Sequence, residues 1–168
     1  MQGLAIDTER RDAYHHGNLR EALMELLKSR LKTVCLTKVS LRELCRDAGV
    51  SQSAFYKHFQ SRDELFAALA SSTLESVSRR VSERISGETR SVQRVHLLRT
   101  CVIDMATQHP SLFALCFLYR PDTGSGELAV ARARLRELFD YCDPSRTGWW
   151  VVLGEATEIF NGSLRNSN

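Results

Sequence analysis

SLRELCRDAGVSQSAFYKHF, residues 40–59, reads as two short helices set at a sharp angle by one glycine. Ser40 is a good N-cap, and Glu43 three places on predicts a capping box that opens a helix at Leu41. Leu41, Leu44, Cys45 and Ala48 then fall on one face at helical spacing. Gly49 is able to take the left-handed conformation that ends a helix, and Val50 is apolar enough to fill the corner beneath it. Ser51 caps a second helix. In it Ala54, Phe55, His58 and Phe59 mark the inner and flanking positions, and Gln52, Ser53, Tyr56 and Lys57 point outward. The small side chain at Cys45 lets the two helices cross closely. These are the requirements of a helix-turn-helix, whose second helix lies in a DNA major groove.

The flanks extend the pattern. Upstream, YHHGNLREALMELLKSRL offers Asn18 as a cap with Glu21 completing a box, followed by an apolar stripe through Leu19, Ala22, Leu23, Leu26, Leu27 and Leu31. Downstream, Ser61 and Glu64 form a third box. It opens a long helix through Leu65, Phe66, Leu69, Thr73, Val77, Val81 and Ile85 that stops at Gly87. With YHHGNLR before the first helix, SLRELCRDAGVS through the turn and FYKHF after it, the chain resembles the TetR family of transcriptional regulators from about Tyr14 to Ala70. The resemblance divides it into an N-terminal arm (1–13), a helix-turn-helix reader domain (14–70) and a helical dimerisation and effector domain (71–168).

The rest reads as helix. Ser91 to His109 carries Val92, Val95, Leu98, Cys101, Val102 and Met105 on one face and ends before Pro110, which suits the first turn of the next helix, SLFALCFLYR. Pro121 to Ser125 is a loop. Gly126 to Cys142 is amphipathic, with Leu128, Ala131, Leu135, Leu138 and Cys142 in line, and DPSRT ends it. A last helix, Gly148 to Leu164, gathers Trp149, Trp150, Val152, Leu153, Ala156, Ile159 and Phe160. No strand alternation or internal repeat interrupts this, so the expected fold class is all-α.

The resemblance implies roles for particular residues. Gln52, Ser53 and Ala54 are the expected base readers, and Tyr56, Lys57, His58 and Arg62 the expected phosphate anchors, with Ser40, Arg42 and Ser51 alongside. The family pairs its last two long helices with their copies in a four-helix bundle, which points to Leu135, Leu138, Trp150, Ala156, Ile159 and Phe160 as the homodimer interface. Many relatives continue into another helix after the one that here precedes Asn168, so which helices compose the bundle stays open. For a small apolar effector, Met105, Phe113, Phe117, Tyr119 and Trp149 line a cavity in one reading and are plain core in the other. His96, Asp104 and Glu155 are the polar candidates beside them. The expected partners are a palindromic DNA operator, a second copy of the chain and such an effector. The family is composed mostly of repressors.

Composition agrees. A chain of 168 residues, 43% hydrophobic, suffices for a reader and a helical body. The net charge is +3, and all the excess lies in residues 1–86, which hold 14 Lys or Arg against 11 Asp or Glu. Between Lys28 and Arg62 the balance is eight basic to two acidic, which suits a surface facing phosphates. No apolar run has the length of a membrane span, and the polar N-terminus is no signal peptide, so a soluble, cytoplasmic protein is expected. Five scattered cysteines, Cys35, Cys45, Cys101, Cys116 and Cys142, read as reduced thiols. His15 and His16 match the family motif and have no carboxylate or cysteine at ligand spacing, so no metal and no cofactor is expected. GxGxxG, GxxxxGK, HExxH and GxSxG are absent, which argues against an enzyme. Two other classes remain: a redox sensor working through Cys35 and Cys45, and a helical interaction module without DNA binding.

Overall fold

The computed structural model describes residues 19–88, 90–121, 126–143 and 148–165, and all its regular elements are helical. The reader comprises α1 (Leu19–Arg30), a 3-10 turn (Leu36–Lys38), α2 (Leu41–Asp47) and α3 (Gln52–Tyr56). A 25-residue helix, α4 (Arg62–Ser86), leaves it for the body, where α5 (Ser91–Gln108), α6 (Pro110–Phe113), α7 (Gly126–Cys142) and α8 (Gly148–Arg165) follow. No single helix among these is long and apolar enough to cross a membrane.

One continuous core runs through both parts. In the reader, Leu23, Leu27, Leu44, Phe55 and Phe59 are sealed from water together with Leu65 and Phe66 of α4. In the body, α7 lies along α4 and α8 along α5. Leu98, Val102, Phe113, Leu115, Phe139 and Ala156 fill the space between them. α4 thus belongs to both cores: its first two turns close the reader, and Leu74, Val81 and Ile85 join the body. Burying side chains of this size contributes about 1.5–3 kcal/mol each.

Two caps follow the sequence. Ser51 Oγ accepts from Ala54 N at 3.1 Å, and Ser61 Oγ accepts from Glu64 N at 3.1 Å. The reciprocal arm of the second reaches one residue further back than a standard box, with Gln60 N donating to Glu64 Oε2 at 2.6 Å. The box expected at Ser40 does not form. Ser40 holds the N-cap backbone position, but its side chain caps nothing, because Glu43 is drawn to α1, where Arg30 Nη1 donates to its Oε2 at 3.0 Å. Asn18, the expected cap of α1, lies outside the described residues, as do the arm and Tyr14 to Gly17.

The body departs from the sequence reading at SLFALCFLYR. Pro110 does sit in the first turn of α6, and pre-proline His109 leaves the helical region, so the chain bends by 117° after α5. Beyond Phe113 the helix widens into a π turn over Ala114–Leu118, with Tyr119 N donating to Ala114 O at 2.8 Å. Arg132 of α7 donates to Cys116 O at 2.7 Å and Tyr119 O at 2.8 Å, supplying partners for carbonyls left free at its end. Val92, expected on the inner face of α5, is exposed in its first turn.

Candidate nucleic-acid interface

The corner between α2 and α3 rests on Gly49, whose φ of 67° lies in the left-handed region. Val50 N donates to Cys45 O at 2.9 Å and Gly49 N to Arg46 O at 3.0 Å, the two bonds of a Schellman closure. Beneath it Cys45 and Ala48 are buried, so α2 and α3 approach closely. α3 is only five residues long and depends on its surroundings to persist. Phe55 and Phe59 anchor it, stacked with centroids 5.5 Å apart and both sealed in the core.

Two arginines fix the reader's geometry, and neither stood out in the sequence. Arg20 of α1 donates to His58 O at 3.0 Å, lies 4.5 Å from the Phe59 ring centre and reaches to 3.7 Å from Glu64, tying α1 to the end of α3 and the start of α4. Arg30 donates through Nε to Asp47 Oδ2 at 2.9 Å and through Nη1 to Glu43. Those Arg30 hydrogen bonds hold the Asp47 carboxyl below its ordinary value despite some opposing burial, and they raise Arg30 in turn. The pairing has an electrostatic consequence for the reader. Glu43 and Asp47, the two acids between Lys28 and Arg62, are both engaged by Arg30, whereas Arg42 and Lys57 are exposed and make no ion pair among the described residues.

With that frame in place, the α3 side chains sort themselves. Gln52, Ser53, Tyr56, Lys57 and His58 are exposed, and Ala54 is half-buried against the corner. Ser51 is exposed but its hydroxyl oxygen is used in the cap. Ser40 is half-buried with its hydroxyl unused by the cap, and Arg42 stands exposed in the first turn of α2. Arg62 also contacts the protein. Its Nη1 donates to Val39 O at 3.4 Å and its guanidinium lies 5.2 Å from the Phe66 ring centre.

The residues expected in the effector cavity are, with one exception, packed as core. Phe113 and Phe117 lie 5.1 Å apart between ring centres, Phe117 and Trp149 6.0 Å, and Phe139 and Trp149 5.2 Å. Tyr119 sits edge-on to Phe66 at 5.6 Å. Rings at these separations pack against one another. Met105 lines a cleft of about 600 Å³ between α4 and α5 that also takes in His96 and Asp104. Glu155 is bound instead by Arg99.

The expected interface set divides in the same way. Leu135 and Ala156 are buried within the protomer, Leu138 and Ile159 are partly buried, and Phe160 packs on Phe113 at 5.8 Å. The outward surface of α8 is Trp150, 62% exposed, Val151, 65% exposed, and the exposed Gly154 and Gly162 below them, with Tyr141 of α7 exposed as well.

Cysteine chemistry is suppressed. Burial pushes the Cys45, Cys101 and Cys142 thiols up and Cys116 up to about 12, which keeps the nucleophilic thiolate scarce. Cys35 is the exposed one. Among the described residues no group of three His, Cys, Asp or Glu side chains could hold a metal, and His15 and His16 fall outside them.

A buried two-helix corner, a short polar helix carried on its outer side and a basic surround are the features of a helix-turn-helix reader. Comparison with known proteins agrees. Residues 36–69 match the family model described as "Bacterial regulatory proteins, tetR family". The nucleoid occlusion factor SlmA of Marinomonas sp. (strain MWYL1) is 27% identical over 121 residues, 72% of this chain and 60% of its own length. SlmA of Alteromonas mediterranea is 26% identical over 123 residues, 73% of this chain and 62% of its own, and SlmA of Idiomarina loihiensis is 24% identical over 128 residues, 76% and 64%. The chain thus spans about three fifths of the length of these curated relatives. Its helix-turn-helix segment, residues 36–69, is thus similar to that of the tetR family of bacterial regulatory proteins.

Proposed function

We propose that the protein binds a palindromic operator as a homodimer, represses from it, and is released by a small effector. The observation that carries the DNA half is the outward face of α3, where Gln52, Ser53, Tyr56 and Lys57 stand together on a helix anchored by Phe55 and Phe59. Gln52 reads a base edge through its amide, and Ser53 and Ala54, both small, let the helix approach the groove. Lys57, Tyr56 and His58 hold phosphates, with Arg42 and Ser40 at the neighbouring strand. Arg62 acts from behind, fixing α4 to the Val39 carbonyl. A dimer places two such helices about 34–36 Å apart, one DNA turn. Its contact is the Trp150, Val151 and Gly154 face of α8, where the glycine allows a copy of the helix to come close. An effector that binds better to a different separation of the readers lowers operator affinity by the same coupling energy.

Selection of bound fragments from genomic DNA followed by an electrophoretic shift tests this. A few palindromic sites in promoters are expected. The relatives' name, nucleoid occlusion factor, favours a second reading, in which the protein acts on the nucleoid as a whole and its sites are not confined to promoters. The distribution of the selected sites separates the two, and an absence of specific sites would remove both.

A further inference from the structure

The cleft between α4 and α5 has a pattern of its own. On α5, Leu97, Cys101 and Met105 follow one another at four-residue spacing and make an apolar stripe, and His96, Thr100, Asp104 and Gln108 make a polar stripe beside it. On α4, Val77 and Val81 face the apolar stripe, and Arg80 and Arg84 stand next to them. Neither arginine makes an ion pair among the described residues. Both guanidinium groups act on the cleft interior: burial raises the Cys101 thiol, and the charges of Arg80 and Arg84 pull it the other way. Asp104 is the one carboxylate in the lining. The cleft is also long, because the 13 residues from His96 to Gln108 on α5 correspond to a rise of about 18 Å.

An elongated apolar floor with two unpaired guanidinium groups at one wall suits a ligand with an apolar chain and one anionic head. A volume of about 600 Å³ lies within the range of small-molecule sites. We propose that this cleft binds a carboxylate carried on a flexible apolar chain, with Arg80 and Arg84 taking the carboxylate and Val77, Val81, Leu97 and Met105 the chain. This deepens the effector reading above and rests on it for its regulatory meaning, though not for the binding itself. Arginine is suited to the head group because its fork of N–H donors matches two carboxylate oxygens.

Titration calorimetry of the full chain with decanoate, octanoate and decan-1-ol tests the proposal. Decanoate should bind saturably, one per protomer. Octanoate should bind roughly fifteenfold more weakly, at about fourfold for each of the two methylenes removed from the cleft, and decan-1-ol at least tenfold more weakly. Replacing both Arg80→Gln and Arg84→Gln should bring decanoate to the affinity of decan-1-ol and leave decan-1-ol unchanged. Asp104→Asn should tighten decanoate severalfold by removing a like charge. All three side chains are exposed, so an unchanged thermal melt should accompany each variant. No saturable binding of decanoate, wild-type affinity in the double arginine variant, or weakening by Asp104→Asn would overturn the site. Operator affinity is then measured with and without decanoate. Binding that follows this pattern without altering operator affinity upholds the site and removes the effector reading instead.

Discussion

Gly49 is the position at which the reader can be perturbed through the backbone alone. A Cβ built there meets nothing within 4 Å, so a larger residue causes no collision, and the whole penalty comes from its φ of 67°. For an L-residue that conformation costs about 1–2 kcal/mol. Replacing glycine also restricts the unfolded chain, which returns about 0.4–1 kcal/mol. Gly49→Ala should therefore cost about 1 kcal/mol net, and Gly49→Asn less, since asparagine tolerates the left-handed region. Gly49→Val should cost about 2 kcal/mol, because a β-branched side chain is the least tolerant there. In a cooperative unit of this size each kcal/mol moves the melting temperature by about 2–4 °C. The series Gly, Asn, Ala, Val should rank in that order in a thermal melt. Operator affinity should fall in the same order, because the valine variant relieves its strain by turning α3 away from the Schellman closure, and the oligomeric state should not change. An alanine variant as stable as the parent would show that no positive φ is required, and the geometry of the corner would have to be redrawn.

Other substitutions probe separate contacts. Gln52→Ala should lose about 1–3 kcal/mol on the cognate operator and little on random DNA, and equal losses on both would take Gln52 out of base reading. Lys57→Ala should reduce the magnitude of the salt slope by about 1, whereas Arg62→Ala should leave the slope unaltered and lower reader stability, because its charge faces Val39 O and Phe66. A reduced slope for Arg62→Ala would return that residue to the phosphates. The Asp47 carboxyl is held below its ordinary 3.8, so its contribution is complete above that value and is lost as pH falls through the lower folded one. Asp47→Asn should cost under about 1 kcal/mol at neutral pH, given the partial exposure of the pair, and should flatten the stability profile below about pH 4, which acid melts of both proteins would show. Trp150→Glu should give a folded monomer that has lost operator binding, since the side chain is largely exposed in the protomer and a dimer would confront two unpaired charges. A persistent dimer in sedimentation would move the contact away from α8.

The reader was legible because its signals are local. A positive-φ glycine, a serine cap three residues from the amide it accepts from, and apolar residues at helical spacing all act within one or two turns, and Gly49, Ser51, Ser61, Phe55 and Phe59 behave as that grammar requires. The Ser40 box failed for a tertiary reason. Glu43 had a better partner in Arg30, 13 residues away in sequence, and spacing carries no trace of that competition. The contact of Arg62 was likewise invisible, since its basic charge says nothing of the Val39 carbonyl 23 residues upstream. In the body, periodicity located the helices but could not tell a ring that lines a cavity from one that fills it. Phe113, Phe117 and Trp149 close on one another only when α6 and α8 are brought together. The same ambiguity put Leu135 and Ala156 in the interface, where a hydrophobic stripe identifies the buried face and leaves open whether its cover is this chain or a copy.

The position of α4 determines how a ligand between α4 and α5 acts on the reader. Its first turns bury Leu65, Phe66 and Leu69 against the reader, and about two to five turns further on Val77, Arg80, Val81 and Arg84 form one wall of the cleft. A ligand that parts the two helices must either carry the reader along with α4 or pull those three side chains out of its core. At about 1.5–3 kcal/mol for each side chain, extraction costs more than the 1–3 kcal/mol that coupling between sites ordinarily transmits. The reader therefore moves as a body with α4. Arg20 reinforces this by joining α1 to His58 O and approaching Glu64, so that α1, α3 and the start of α4 shift together. On this argument Arg20→Ala should weaken the response of operator affinity to a bound ligand more than it weakens ligand binding itself. Parallel titrations of ligand and operator on the variant measure both quantities, and equal losses in the two would show that the reader is held to α4 by the apolar contacts alone.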